Sequence, residues 1–153
     1  MEVVLQDPRI IYVGAATGGV WKSINGGVTW TPVFDSQNTS SIGDITVDPL
    51  NPDIVWVGTG EANPRNSAGV GRGIFKSMDG GATWTFLGLE ETERISRVLV
   101  HPQNTDTVFV AALGKTWGDS AERGVFKTTD GGETWKKILY VDERTGAADL
   151  AMD

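Results

Sequence analysis

The sequence predicts an all-β protein made of β-propeller blades, and three observations carry that prediction. One motif occurs three times, as VWKSINGGVTW at 20–30, IFKSMDGGATW at 74–84 and VFKTTDGGETW at 125–135. The copies lie about 50 residues apart, a period typical of propellers, solenoids and repeat arrays. Short runs of β-branched and aromatic residues separate the copies, and no segment shows helical periodicity. Four short antiparallel strands in each repeat are typical of propeller blades.

The four predicted strands follow one another in the same order in every repeat. The first strands, each ended by an aligned proline, are 2–7, 43–48 and 96–101. The second strands are 10–14, 54–58 and 107–111. The third strands begin the repeated motif, and the fourth strands are 30–34, 84–88 and 135–139. Alternation of apolar and polar residues in 44–48 indicates a strand that is half buried.

We therefore expect one partial propeller domain over 1–153. Its blades should cover about 2–35, 43–88 and 96–140. Residues 148–153 match the first strands and are expected to be the first strand of a further blade. Propellers close with about four to eight blades. The expected assembly is a partial ring, or a ring completed by self-association, for example by a second copy joined head to tail.

The repeated motif has the form Ser/Thr-x-Asp/Asn-x-Gly-x-Thr-Trp. Its members are Ser23, Asn25, Gly27, Thr29 and Trp30, then Ser77, Asp79, Gly81, Thr83 and Trp84, then Thr128, Asp130, Gly132, Thr134 and Trp135. Asp or Asn before Gly-Gly favours a hairpin turn, because glycine adopts positive φ without strain. The carboxylate or amide can accept hydrogen bonds from the turn, and each Trp is expected to be buried between blades.

This pattern resembles the Asp box, or BNR repeat, of sialidases, the sortilin-type receptor propeller, xyloglucan-cleaving glycosidases and a photosystem II assembly factor. The segments 55–84 and 110–135 also resemble large bacterial secreted proteins described as BNR-repeat glycosyl hydrolases or sortilin N-terminal-like. The resemblance implies that the Asp box is a structural turn remote from any active site. It also implies a secreted or periplasmic protein, although no signal peptide opens this chain.

Ligand-binding residues are expected on the face opposite the Asp boxes, where the loops after the second strands lie. Long loops there, 59–73 and 112–124, are the usual place for binding on a rigid scaffold. The predicted ligand-binding residues are Glu61, Asn63, Arg65, Asn66, Arg72, Trp117, Asp119 and Arg123. This mixture suits a glycan or a polar peptide. The alternative is structural: Glu61 would pair with Arg65 or Arg72, and Glu122 with a neighbouring arginine, to hold the loops.

Catalysis has weaker support from the sequence. Glycoside hydrolysis normally needs two carboxylates about 5–10 Å apart. Glu61 with Asp119 or Glu122 is the one plausible pair. In the xyloglucan-cleaving relatives an acid precedes a Gly-Gly after the second strand of the first blade, and Ala16 stands at the matching place here. The prediction is a non-catalytic scaffold that binds a glycan or protein, with a glycoside hydrolase fragment as the alternative.

Composition narrows the classes of partner and cofactor that this protein is expected to bind. A net charge of −7 disfavours nucleic acid as a partner, and no apolar run is long enough for membrane insertion. The sequence contains no cysteine and no zinc- or calcium-type spacing, so neither a metal nor a cofactor is expected. The lone His101 is expected in a turn. Asp44, Arg97 and Asp149 occupy equivalent positions of first strands and are expected to form ion pairs around a central channel.

Overall fold

The computed structural model describes residues 1–63 and 66–153, which form three four-stranded antiparallel sheets. Blade 1 contains β1 (Glu2–Val3), β2 (Ile11–Ala15), β3 (Gly19–Ser23) and β4 (Thr31–Pro32). Blade 2 contains β5 (Ile42–Val47), β6 (Val55–Thr59), β7 (Ile74–Ser77) and β8 (Thr85–Phe86). Blade 3 contains β9 (Ile95–Val100), β10 (Val108–Ala112), β11 (Gly124–Thr128) and β12 (Lys136–Leu139).

The all-β prediction is confirmed, and within each sheet the strands lie side by side in chain order. One 3-10 turn, Glu90–Thr92, interrupts the link between blades 2 and 3. No helix in the described part of the chain is long and apolar enough to cross a bilayer. The outer strands β4 and β8 are shorter than predicted, with two exposed residues each.

Two apolar joints hold the three blades together. The joint between blades 1 and 2 packs Tyr12, Val20 and Phe34 against Val57 and Phe75. The joint between blades 2 and 3 is a second cluster of buried apolar residues from the strands of those two blades. Its members are Trp56, Ile74, Ile95, Val98, Val100, Val108, Val110, Ala112 and Phe126. Each joint is therefore built from one face of each sheet, as a stack of half-buried sheets requires.

Each blade has a cross-strand pair of an aromatic residue and a lysine, which in blades 1 and 2 faces the blade that follows. The pairs are Tyr12–Lys22, Trp56–Lys76 and Phe109–Lys127. The Tyr12 hydroxyl donates to the Gly80 carbonyl at 2.9 Å, and the Lys22 ammonium donates to the same oxygen at 2.7 Å. Lys76 donates in the same way to the Gly131 carbonyl at 3.2 Å. The first two lysines thus clamp the glycine turn of the next blade.

The Asp boxes are turns fixed by their own side chains, as the sequence predicted. In the second copy, the Ser77 Oγ donates to Asp79 Oδ1 at 2.8 Å and accepts from the Gly81 N–H at 2.8 Å. Asp79 accepts from Thr83 twice, from its N–H at 2.8 Å and its hydroxyl at 2.6 Å. The same bonds recur at Asp130, and Asn25 replaces one of them by donating to Thr29.

These bonds lower the pKa of the Asp79 carboxyl from its ordinary value of 3.8 to about 2, chiefly through the Thr83 hydroxyl and N–H. Glycines 26–27, 80–81 and 131–132 all have positive φ in this turn. Any residue other than glycine would be strained at these positions.

The prediction that all three motif tryptophans are buried is wrong: two are partly buried and one is exposed. Trp84 and Trp135 are partly buried, and each indole N–H crosses to the preceding blade, donating to the carbonyl of Val33 at 2.7 Å and of Leu87 at 2.8 Å. Trp30 is 38% exposed and donates to Gly27 in its own turn at 3.0 Å. The difference arises because no other blade among the described residues supplies an acceptor to the Trp30 indole.

Close approach between blades depends on a glycine in the second strand. A Cβ added to Gly58 would lie 2.4 Å from Ile95 Cγ2, and one added to Gly14 would lie 2.5 Å from Ile42 Cγ2. Both distances are shorter than real Cβ contacts. The β-branched isoleucine that opens the next blade fills the space left by the missing side chain.

The first strands of the three blades border a cavity of about 330 Å³. Asp44 accepts from the Val98 N–H at 2.8 Å, and burial raises the pKa of the Asp44 carboxyl. Arg97 Nε lies 3.4 Å from Asp149 Oδ1, so the predicted ion pair of these two residues is present. His101 lies in a turn, where its Nδ1 accepts from the N–H groups of Gln103 and Asn104, both at 3.2 Å.

The terminal segment 148–153 forms no strand in the structure. It lies beside β9, held by the Arg97–Asp149 pair and by the Ser96 hydroxyl, which donates to the Ala147 carbonyl at 2.8 Å. Its position matches that of a first strand, but the structure gives it no second strand with which to pair. Its role as part of a further blade stays a prediction.

Replacing Asp79 by Ala should lower the free energy of unfolding, because the Thr83 N–H and hydroxyl lose their acceptor. Urea unfolding at pH 7 measures this change. The matched control is Asp79→Asn, which reproduces the Asn25 arrangement and should cost less. Since the folded pKa lies below the ordinary value, the contribution of Asp79 is complete above about pH 4 and lost as the pH falls toward about 2. An Asp79→Ala variant as stable as wild type would contradict this role.

Replacing Trp84 by Ala should cost about 3 kcal/mol, since it removes a large apolar contact and the bond to the Val33 carbonyl. Trp30→Ala, the same change in the first Asp box, should cost less than half as much, because Trp30 makes no cross-blade bond. Thermal unfolding of the two variants compares them directly. Equal losses would show that the motif, and not the joint, sets the role of the tryptophan.

Candidate ligand-binding face

Two adjoining cavities lie on the face formed by the loops after the second strands and by the links between blades. The larger cavity, of about 530 Å³, is lined by Thr17, Asn38, Thr39, Ser40, Ser41, Gly69, Val70, Gly71, Arg72, Glu90, Glu91 and Glu93. The smaller, of about 230 Å³, is lined by Asn66, Ala68, Val70, Glu93, Lys115, Thr116 and Trp117. Val70 and Glu93 border both cavities. We call the pair the groove; it runs from blade 1 to blade 3.

The β6–β7 loop is held in place at both ends. The Thr59 hydroxyl donates to the Gly73 carbonyl at 2.6 Å and accepts from the Arg72 N–H at 2.7 Å. Further in, the Ser41 hydroxyl of the preceding link donates to the Gly69 carbonyl at 3.0 Å. The Gly71 N–H donates to the carbonyl of Glu93 in the following link at 2.7 Å. The wall of the groove is thus tied to the links on both sides.

Glu61 is buried and contributes to this support. Its N–H donates to the Gly69 carbonyl at 2.9 Å, and its Oε2 accepts from the Gly69 N–H at 3.3 Å. Asn63 and Asn66 are exposed, and Asn66 borders the smaller cavity. Arg65 lies outside the described residues. The loop therefore places its amides toward solvent and its predicted acid in the interior.

Arg72 is exposed at the border of the larger cavity, where it pairs with a residue that the sequence did not single out. Its NH1 lies 2.9 Å from Glu90 Oε1, and both side chains are about half exposed. An exposed pair of this kind adds little stability. Both groups can therefore exchange their mutual contact for a polar ligand.

The β10–β11 loop is supported by buried arginines. Arg123 is only 9% exposed and donates to the carbonyls of Leu113, of Lys115 at 3.0 Å, of Gly118 at 3.1 Å and of Glu143 at 2.7 Å. Arg94 donates to the Gly114 carbonyl at 2.9 Å. Burial, and then the charge of Arg123, lower the pKa of Arg94. Arg123, predicted to bind ligand, therefore points inward and shapes the loop instead.

The same loop presents Trp117 to solvent. Its side chain is 74% exposed and borders the smaller cavity beside Lys115. Two acids predicted on this loop have cationic partners: Asp119 accepts from Arg144 at 3.0 Å, and Glu122 lies 3.4 Å from Lys137. The structural alternative predicted that Glu122 pairs with a neighbouring arginine. The structure pairs Glu122 with a cation, but that cation is Lys137.

Sequence reasoning missed the acids of the link between blades 2 and 3. Glu90, Glu91 and Glu93 border the larger cavity, and Glu93 also borders the smaller one. Leu89 and Glu93 have positive φ, a backbone conformation that turns this short link sharply. Three acids within four residues of an inter-blade link were the available signal. In the described part of the chain, no cluster of three histidine, aspartate or glutamate side chains is arranged to hold a metal.

The groove can thus accept hydroxyl groups on its carboxylates, donate from amides and cations, and offer an indole ring for stacking. Residues 18–147 match the family model Sortilin-Vps10, described as sortilin, neurotensin receptor 3. The chain belongs to the Sortilin-Vps10 family. The match covers all three Asp boxes of this Sortilin-Vps10 chain, in agreement with the predicted BNR-repeat resemblance.

Curated relatives of this Sortilin-Vps10 chain include xyloglucanases. One from Paenibacillus sp is 38% identical over 96% of this chain, and one from Hypocrea jecorina is 26% identical over 84%. The chain spans 16% of the length of each. The similarity therefore concerns a few blades of much longer proteins.

Solved structures similar to the Sortilin-Vps10 chain are propellers of two kinds. The GH74 enzyme of Niastella koreensis superposes with a TM-score of 0.67 at 25% identity, covering 89% of this chain and 20% of its own. The GH74 xyloglucanase of Xanthomonas campestris gives 0.66 at 16% identity, covering 95% and 23%. YCF48 from Cyanidioschyzon merolae gives 0.59 at 19% identity, covering 92% and 36%. The β-propeller fold is confirmed.

Replacing Arg123 by Ala should lower the free energy of unfolding by about 2 kcal/mol, because buried carbonyls lose a charged donor. The matched control is Arg144→Ala, which removes only the exposed pair with Asp119 of the same loop and should leave stability nearly unchanged. Chemical denaturation measures both. Equal stability of the two variants would contradict the supporting role of Arg123.

Proposed function

We propose that these three blades bind a neutral polysaccharide of the xyloglucan class along the groove, as part of a propeller of the glycoside hydrolase type. The observation that carries the proposal is the groove itself. Its two cavities share Val70 and Glu93, cross the long-loop face and end at an exposed indole ring. An elongated polar groove with an aromatic platform suits a glycan chain better than a compact ligand.

Charge supports a neutral glycan over an acidic one. Glu90, Glu91 and Glu93 line the larger cavity, and the chain carries a net charge of −7. Anionic sugars such as sialic acids would be repelled, while hydroxyl groups can donate to the carboxylates. Trp117 can stack on a sugar ring at the far end. The xyloglucanase names of two relatives support the same substrate class.

The proposal assigns recognition, not bond cleavage, to the residues of this chain. Glu61 is buried and bonded within its loop, whereas Asp119 and Glu122 have cationic partners. Ala16 stands where the relatives' pattern has an acid, next to Thr17 of the groove. Glu91 and Glu93 border the groove and are assigned to recognition of hydroxyl groups, so release of reducing sugar from xyloglucan by the wild-type protein would contradict this assignment.

Replacing Trp117 by Ala should weaken binding of xyloglucan oligosaccharides about tenfold, since a stacked ring contributes about 1 kcal/mol or more. Isothermal titration calorimetry with a xyloglucan heptasaccharide measures the dissociation constant. Trp30→Ala is the matched control: it removes a tryptophan from an Asp box on the opposite face and should leave the affinity unchanged.

Two results would contradict the proposal. One is the absence of heat with wild-type protein, and the other is equal weakening by both tryptophan variants. A sialylated oligosaccharide serves as the charge control and should bind more weakly than the neutral one. Preference for the sialylated ligand would favour a sialidase-like site.

A further inference from the structure

We propose that the binding path of the groove continues past the Arg72–Glu90 ion pair into a third cavity, where Phe86 is a second stacking platform for the same glycan chain. This inference rests on the proposed function of the groove. The third cavity, here called the outer cavity, has a volume of about 300 Å³ and is bordered by β7 and β8 of blade 2. Asn38, Arg72 and Glu90 border both the outer cavity and the larger cavity of the groove, so the two spaces adjoin.

The Arg72–Glu90 pair stands between the two cavities, and a ligand can reach both of its members. The guanidinium and the carboxylate are 2.9 Å apart, and each side chain is about half exposed. The backbone at Arg72 is fixed, because its N–H donates to the Thr59 hydroxyl at 2.7 Å. A guanidinium donates hydrogen bonds and a carboxylate accepts them, so a sugar hydroxyl at this point can bond to either group.

Phe86 is an exposed aromatic ring that is held in place by other rings. Its centroid lies 5.4 Å from that of Phe75, and the two ring planes are inclined by 54°. Phe75 is only 3% exposed and packs edge-on against Phe34, with 5.2 Å between the centroids. Phe86 is nevertheless 46% exposed and borders the outer cavity. Packing therefore fixes one side of this ring, and the remainder is accessible to a ligand.

The blade fold does not require an aromatic residue at this position. In each blade, one residue of the fourth strand pairs with the aromatic residue of the third strand. These pairs are Pro32 with Trp21, Phe86 with Phe75 and Lys137 with Phe126. In blade 3 the lysine ammonium lies 5.2 Å from the ring centroid of its partner. An exposed phenyl ring occurs at this position in blade 2 alone, so the repeat itself does not explain it.

Another wall of the outer cavity is polar. It is formed by residues 36–38 of the link between blades 1 and 2. The Gln37 N–H donates to the Phe34 carbonyl at 3.0 Å, and the Gly19 N–H donates to the Ser40 carbonyl at 2.8 Å. These bonds tie both ends of the wall to blade 1. The hydroxyl and amide groups of 36–38 can donate to and accept from sugar hydroxyls.

An aromatic platform beside a polar wall is an arrangement that suits a pyranose ring. The C–H face of the sugar packs on the aromatic ring, while hydroxyl groups at its edge form hydrogen bonds with a few placed polar groups. Trp117 offers the same chemistry at the blade 3 end of the groove, where it is 74% exposed. A chain bound at both rings must cross the groove and the outer cavity, so the arrangement favours a long glycan over a short one.

The test compares two xyloglucan oligosaccharides, a heptasaccharide and an oligomer of two such units, by isothermal titration calorimetry. The wild-type chain should bind the longer one about tenfold more tightly, because only the longer one reaches both rings. Phe86→Ala should remove most of this gain and leave the dissociation constant of the heptasaccharide unchanged. Phe86→Leu keeps an apolar contact with Phe75 but removes the ring, and should behave like Phe86→Ala. Pro32→Ala, at the equivalent position of blade 1, is the control and should bind both ligands like wild type.

The results separate this inference from the proposed function. Thermal unfolding of each variant near the wild-type temperature establishes that it is folded. If heptasaccharide binding depends on Trp117 but Phe86→Ala binds the longer ligand as tightly as wild type, the second platform is overturned and the proposed function stands. Equal weakening for both ligands, or full affinity of Phe86→Leu, would also overturn the second platform. Failure of the wild-type chain to bind either ligand would overturn both claims.

Discussion

The hydrogen bonds that cross from one blade to the next are the constraint on which the rest of this structure depends. Trp84 and Trp135 reach back to carbonyls of the preceding blade, and Lys22 and Lys76 reach forward to glycine carbonyls of the following one. These bonds fix how far and at what angle neighbouring sheets can separate. Gly14 and Gly58, in the second strands of blades 1 and 2, then allow the close approach of the sheets that buries the aromatic core.

The groove depends on the same spacing between neighbouring sheets. With the sheets held at fixed positions, the loops and links on the opposite face meet at their edges, and backbone bonds such as that from Gly71 to Glu93 join them. The polar side chains left facing outward, together with Trp117, form the candidate site. Binding chemistry is thus carried by residues that contribute little to the joints, and the joints are made by residues remote from the groove.

The sequence predicted what is local and repeated. The order of strands, the bonds within each Asp box and the face carrying the long loops all follow from residues within a few positions of one another. It did not predict the forward contact of Lys22, 58 residues from Gly80, or the bonds of the buried Arg94, 20 and 21 residues from their acceptors, because no local pattern records that these residues lie close together. The acids Glu90, Glu91 and Glu93 are a local cluster in the sequence, but their position beside the groove depends on how blades 2 and 3 pack. Trp30 was predicted to be buried because its motif is the same as the others; its exposure depends on its neighbour, not on its own sequence.

The bonds inside each Asp box join residues two or four positions apart, whereas the lysine and tryptophan bonds between blades join residues 48–58 positions apart. Closing the short loops costs little chain entropy, so the hairpin turns can form before the sheets dock. Each docking step then adds one nearly equivalent interface, and the energetics approach those of a one-dimensional array with nearest-neighbour coupling. Blade 2, coupled on both sides, should exchange its amide hydrogens most slowly, and the outer strands of the terminal blades should exchange theirs first.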